Sequence, residues 1–81
     1  MDRTYDKARL LRNIKILAQA KNIRIGALEK ASGLSRGYLA RLEKKDNVSP
    51  NIKTVCIIAQ LLDVSLDKLV YFDCATELYM I

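Results

Sequence analysis

The stretch from Ile25 to Glu43 constrains this chain more than any other. It reads Ile-Gly-Ala-Leu-Glu-Lys-Ala-Ser-Gly-Leu-Ser-Arg-Gly-Tyr-Leu-Ala-Arg-Leu-Glu, two short helical patterns separated by one breaker. Leu28 and Ala31 point inward from the first pattern, predicted to span Ile25 to Ser32. Leu39 and Leu42, three apart, point inward from the second. Gly33 lacks a Cβ and supplies the positive φ that a tight turn between the helices needs. Leu34 bridges the turn, and Ser35 reads as the N-cap of the second helix, which runs to Lys44 or Lys45.

The flanking segments are helical as well. Tyr5, Ala8, Leu11, Ile14, Leu17 and Ala18 recur at steps of three and four, which predicts a helix from about Thr4 to Lys21. Arg9, Arg12 and Lys15 lie mostly off that face, and Asn22 is a left-handed stop. Downstream, Asp46 to Ser49 forms a loop. A fourth helix opens either with Ser49 as cap and Pro50 at its first position, or with Asn51 as cap. Ile52, Val55, Cys56, Ile58, Ala59 and Leu62 follow at helical spacing, with Ile57 and Leu61 widening the apolar face, so this helix is central. Val64 closes it. Ser65 caps a short fifth helix through Val70, with Asp67 near its positive end. With 3 glycines and 1 proline in 81 residues, hairpin turns are scarce and an all-α chain of five helices is the reading.

This length predicts one domain, 1–72, followed by a tail, 73–81. The tail ends Leu78-Tyr79-Met80-Ile81, apolar enough to be a dimerisation strip or the start of a second region. Hydrophobic residues make up 51% of the chain, which argues for a folded domain. Cys56 and Cys74 stand 18 positions apart and there is no histidine, so no common zinc arrangement is available and no metal or other cofactor is expected. Cys56 falls in the apolar helical pattern and is expected in the core. The charged N-terminus has no signal-peptide h-region, and the apolar run from Val55 to Val64 is broken by Gln60 and Asp63. A cytoplasmic protein with no membrane segment is expected. Without histidine, paired cysteines or clustered carboxylates, no acid, base and nucleophile can be assembled, and an enzyme is not expected.

Charge is uneven. Up to Lys45 there are 12 lysines and arginines against 4 acids; beyond it there are 2 against 5, within a net charge of +5. One basic face for a polyanion accounts for this, and so does an ordinary solvated surface.

The Ile25–Glu43 tract, followed by Pro50-Asn51-Ile52 and by Leu62-Asp63-Val64-Ser65-Leu66-Asp67-Lys68-Leu69, resembles the lambda-repressor-like Cro/C1 (Xre-type) helix-turn-helix family over about Ile14 to Phe72. The resemblance implies a five-helix lambda-repressor-like bundle whose helices 2 and 3 form the helix-turn-helix. It also implies a sequence-specific double-stranded DNA-binding regulator, a repressor by expectation, acting as a homodimer. The second helix of the pair must then present side chains to a major groove about 12 Å wide.

With Leu39 and Leu42 inward, Arg36, Gly37, Ala40, Arg41 and Lys44 lie on the outer face of that helix. By resemblance, Arg36, Gly37 and Arg41 meet base edges. Tyr38 either touches a phosphate or a thymine methyl, or packs half-buried. Gly37 either lets the backbone approach DNA or makes room for Tyr38. Arg24, Ser35, Lys44, Lys45 and Asn47 are the expected phosphate contacts, aided by N–H groups at the starts of helices two and four. Lys7, Lys15, Lys21 and Lys30 read as ordinary solvated charges.

The chain departs from the family at Ile25, where a polar phosphate-contacting residue is frequent, and at Ala18, where arginine is common. Lys45 replaces a common glycine. Glu29 replaces a small residue near the helix crossing, so that either it pairs with an arginine or the two helices cross differently. The competing reading is an antitoxin or anti-regulator whose main partner is another protein, using the apolar tail.

Overall fold

A computed structural model describes residues 5–45 and 48–74; Thr4, Asp46, Asn47 and the tail from Ala75 onward lie outside the described residues. The described residues form five helices and no strand: α1 (Lys7–Ala20), α2 (Ile25–Ala31), α3 (Tyr38–Lys44), α4 (Ile52–Leu61) and α5 (Leu66–Tyr71). The five-helix expectation holds. α1 is the organising element, packing on α5, α3 and α2, while α4 packs on α5.

Three helices start with a local cap. Asp6 Oδ1 accepts the N–H groups of Ala8 at 3.0 Å and Arg9 at 3.4 Å. The helix therefore begins after Asp6, later than expected, and leaves Tyr5 43% exposed and Ala8 at the surface. Of the two readings for α4, Asn51 is the cap, its Oδ1 accepting from Lys53 N–H at 2.8 Å. Ser65 Oγ accepts from Lys68 N–H at 3.1 Å, as expected for α5.

Three helices also end locally, and in the same way. Asn22, Gly33 and Asp63 take φ of 59°, 75° and 55° just past the C-caps of α1, α2 and α4. The next residue in each case, Ile23, Leu34 or Val64, returns its N–H to Ala18, Glu29 or Ala59 at 2.8 to 3.0 Å. This is the Schellman arrangement, which satisfies carbonyls that the helix itself leaves open. It also tucks Ile23, Leu34 and Val64 half-buried against the core.

The core is assembled from all five helices: Leu10 and Ile14 from α1, Leu28 from α2, Leu39 and Leu42 from α3, Ile58 from α4 with Leu62 at its cap, and Leu69 from α5. Each such aliphatic side chain contributes about 1.5–3 kcal/mol by leaving water. Several positions expected inside are not. Ile52 is 65% exposed because it is the first residue of α4, before the helix has passed under its neighbours. Ala31, the last residue of seven-residue α2, is exposed, since that helix buries only Leu28 and Glu29. Cys56 is half-buried on the flank of α4, and Leu61 is 38% exposed.

Asn13, absent from the apolar pattern, is completely buried. Its Nδ2 donates to the carbonyls of Leu69 at 2.8 Å and Phe72 at 2.7 Å, and its Oδ1 accepts from Cys74 N–H at 3.2 Å. One amide thus holds the end of α5 and carries the packed chain on to Cys74, which is 2% exposed.

Candidate nucleic-acid interface

The start of α3 differs from the sequence expectation. Ser35 is not its N-cap, and Arg36 is not its first helical residue. Ser35 to Tyr38 instead form a turn closed by Tyr38 N–H donating to Ser35 O at 3.1 Å. Gly37, with φ 80° and ψ 6°, occupies the third position of that turn and is the cap residue of α3. Those angles belong to a type II turn, which needs a residue tolerant of positive φ. The glycine is therefore required by the turn's backbone conformation rather than by room for Tyr38.

No local side chain caps α3. Its open N–H groups are taken from α2: Glu29 Oε1 accepts from Gly37 N–H at 3.0 Å and Oε2 from Leu39 N–H at 2.9 Å. Glu29 is only 3% exposed. Its carboxylate pairs with backbone donors at the helix start rather than with an arginine. A carboxylate only accepts hydrogen bonds, and a helix start offers only spare donors, so the two match in kind and in charge.

Arg41 lies over the turn. Its Nη1 donates to Arg36 O at 3.0 Å and its Nη2 to Ser35 Oγ at 2.6 Å. A Cβ on Gly37 would stand 3.2 Å from that same Nη1. The expected base-contact residues Arg36, Gly37, Tyr38 and Arg41 are thereby gathered at one place. Arg36 and Arg41 are exposed, and Tyr38 is half-buried and packed against the core. Among the expected phosphate contacts, Ser35 belongs to the turn, and Lys44 and Lys45 are exposed at the far end of α3. Arg24 is exposed at the cap position of α2 and makes no side-chain cap bond. Asn47 lies outside the described residues. At the start of α4, the N–H of Lys53 is already bonded to Asn51 Oδ1.

The far end of α3 is tied to α1. Lys7 Nζ donates to the carbonyls of Lys45 and Val48, and Lys15 pairs with Glu43 at 3.0 Å. Lys7 and Lys15 are therefore not merely solvated, although the Lys15–Glu43 pair is more than half exposed on both sides and weak for that reason. No buried side-chain polar atom among the described residues lacks a partner.

Sequence reasoning missed what Glu29 does. Its one signal was an acidic residue where the resemblance implies a small one, eight residues before a glycine. Among the described residues no group of three or more potential metal ligands comes together, and no helix is long and apolar enough to cross a membrane.

A helix-turn-helix family model matches residues 14–69, which include α2, α3 and α4, the second half of α1 and most of α5. No curated protein and no solved structure matches the chain.

Proposed function

The chain belongs to the lambda-repressor-like, Cro/C1-type (Xre-type) helix-turn-helix family of DNA-binding regulators, and from that premise we propose that it recognises a specific duplex sequence in the major groove, as a repressor. The observation that carries this reading is the exposed turn at the start of α3, which carries Arg36 and over which the Arg41 guanidinium is held. Arginine pairs in bidentate fashion with O6 and N7 of guanine, each good pair discriminating by about 1–3 kcal/mol. Arg41 spends two hydrogen bonds on the turn, and a guanidinium has five N–H donors, so it braces the turn and still offers donors to a base.

Arg24, Ser35, Lys44 and Lys45, together with Asn47, supply phosphate contacts that position the protein without reading sequence. Two copies bind a palindromic site in this reading.

Selection of bound sites from a random duplex pool tests the proposal. The expected result is a palindromic motif containing guanines, lost or relaxed at the guanine positions in Arg36→Ala. Binding without enrichment, weak and steeply dependent on salt, contradicts it.

A further inference from the structure

We infer that Glu29 is a positioning residue that sets where α3 begins, and thereby fixes the turn that carries Arg36 and over which Arg41 lies for recognition. The inference rests on the DNA-reading proposal and adds to it a residue outside the reading helix. α3 has seven residues and no side-chain cap of its own. Two starts are open to its sequence. In one, Ser35 caps a helix that begins at Arg36; in the other, Ser35 to Tyr38 form a turn and the helix begins at Tyr38.

The two starts place the arginines differently. On a continuous helix at 3.6 residues per turn, five residues of separation put side chains about 140° apart around the axis. In the turn, Arg36 lies outside the helix, and Arg41 Nη1 donates to its main-chain carbonyl at 3.0 Å. Glu29 decides between them. A Ser35 cap would accept the N–H of Gly37 or Tyr38. Glu29 already holds that of Gly37 at 3.0 Å, and Tyr38 N–H closes the turn on Ser35 O at 3.1 Å. The Ser35 hydroxyl, displaced from capping, accepts from Arg41 at 2.6 Å. The second carboxylate oxygen grips Leu39 N–H, so the first turn of α3 is fixed to α2 at two points. Because Glu29 is 3% exposed and sits behind the turn, its effect on DNA runs through the placement of the arginines.

The test uses the full chain with Glu29→Gln and Glu29→Ala. Glutamine keeps the size of the side chain and one acceptor, which guards against a variant that simply fails to fold. In the free protein, amide hydrogen exchange should accelerate in Glu29→Ala at Gly37 and Leu39 by more than it does at the core amides of Leu10, Ile58 and Leu69, which follow the loss of global stability. At fixed salt, affinity for the selected duplex should fall about tenfold, within the range of one lost bidentate pair, while affinity for an unrelated duplex stays within about threefold. Equal losses on both duplexes, or exchange at Gly37 and Leu39 that accelerates no more than at the core amides, overturn the inference. A wild-type protein that prefers no duplex overturns the specificity role along with the DNA reading, while the exchange result still shows whether Glu29 holds the turn.

Discussion

The start of α3 and the end of α5 are both held by a buried polar side chain from another helix, with opposite chemistry. A helix start has spare N–H groups, and α3 receives an acceptor-only carboxylate, Glu29, on the N–H groups of Gly37 and Leu39. A helix end has spare carbonyls, and α5 receives the amide of Asn13, whose NH2 donates to Leu69 and Phe72 while its oxygen takes the N–H of Cys74. The bond type is set by the helix end it serves. The consequences differ as well. Asn13 joins the first and last helices and bears on the whole fold, whereas Glu29 joins two neighbours and bears on the proposed reading face.

The largest expected effect is therefore at Asn13. Asn13→Ala strands two carbonyls and one N–H in the interior, and a loss of about 3 kcal/mol is expected from urea unfolding. Asn13→Asp should be worse, since a carboxylate would face two carbonyls. Glu29→Ala should cost less, about 2 kcal/mol by the same method, because it strands two N–H groups, of which that of Gly37 is only part-buried, where Asn13→Ala strands three polar groups. If Glu29→Ala proves the more damaging, the division between a global and a local clamp is wrong. Gly37→Ala places a Cβ in the left-handed region at φ 80° and against Arg41, and should lose about 1–2 kcal/mol. Gly37→Asn should recover part of that loss, because asparagine tolerates this region. Lys15→Ala, which removes only the exposed pair with Glu43, should shift stability by less than about 0.5 kcal/mol.

What the sequence disclosed follows the same line between local and distant contacts. Asn22 and Gly33 as helix stops and Ser65 as a cap were legible because each acts on residues a few positions away. Asn51 was one of two readable options, and geometry selected it. Glu29 and Asn13 were not legible in this way. Glu29 acts eight and ten residues downstream, and Asn13 acts 56 to 61 residues downstream, distances that no short pattern encodes. Ser35 was misread for a related reason. A serine before a helical pattern is an ordinary cap, and only the position of Glu29 shows that its capping place is taken. The errors at Tyr5, Ala8, Ala31 and Ile52 fall at helix ends, where periodicity continues in the sequence after the packing partner has stopped. The arginines of the candidate site were legible, but the turn that carries Arg36 and holds the Arg41 guanidinium was not.

The most direct test of the central claim, that the turn at the start of α3 reads guanine in the major groove, is methylation interference at guanine N7 on the selected duplex. The account predicts that methylation at defined guanines in each half-site abolishes binding, and that Arg36→Ala loses sensitivity at one of those positions while keeping the others. Undiminished binding to N7-methylated duplex, or the same interference pattern in Arg36→Ala and wild type, would contradict it.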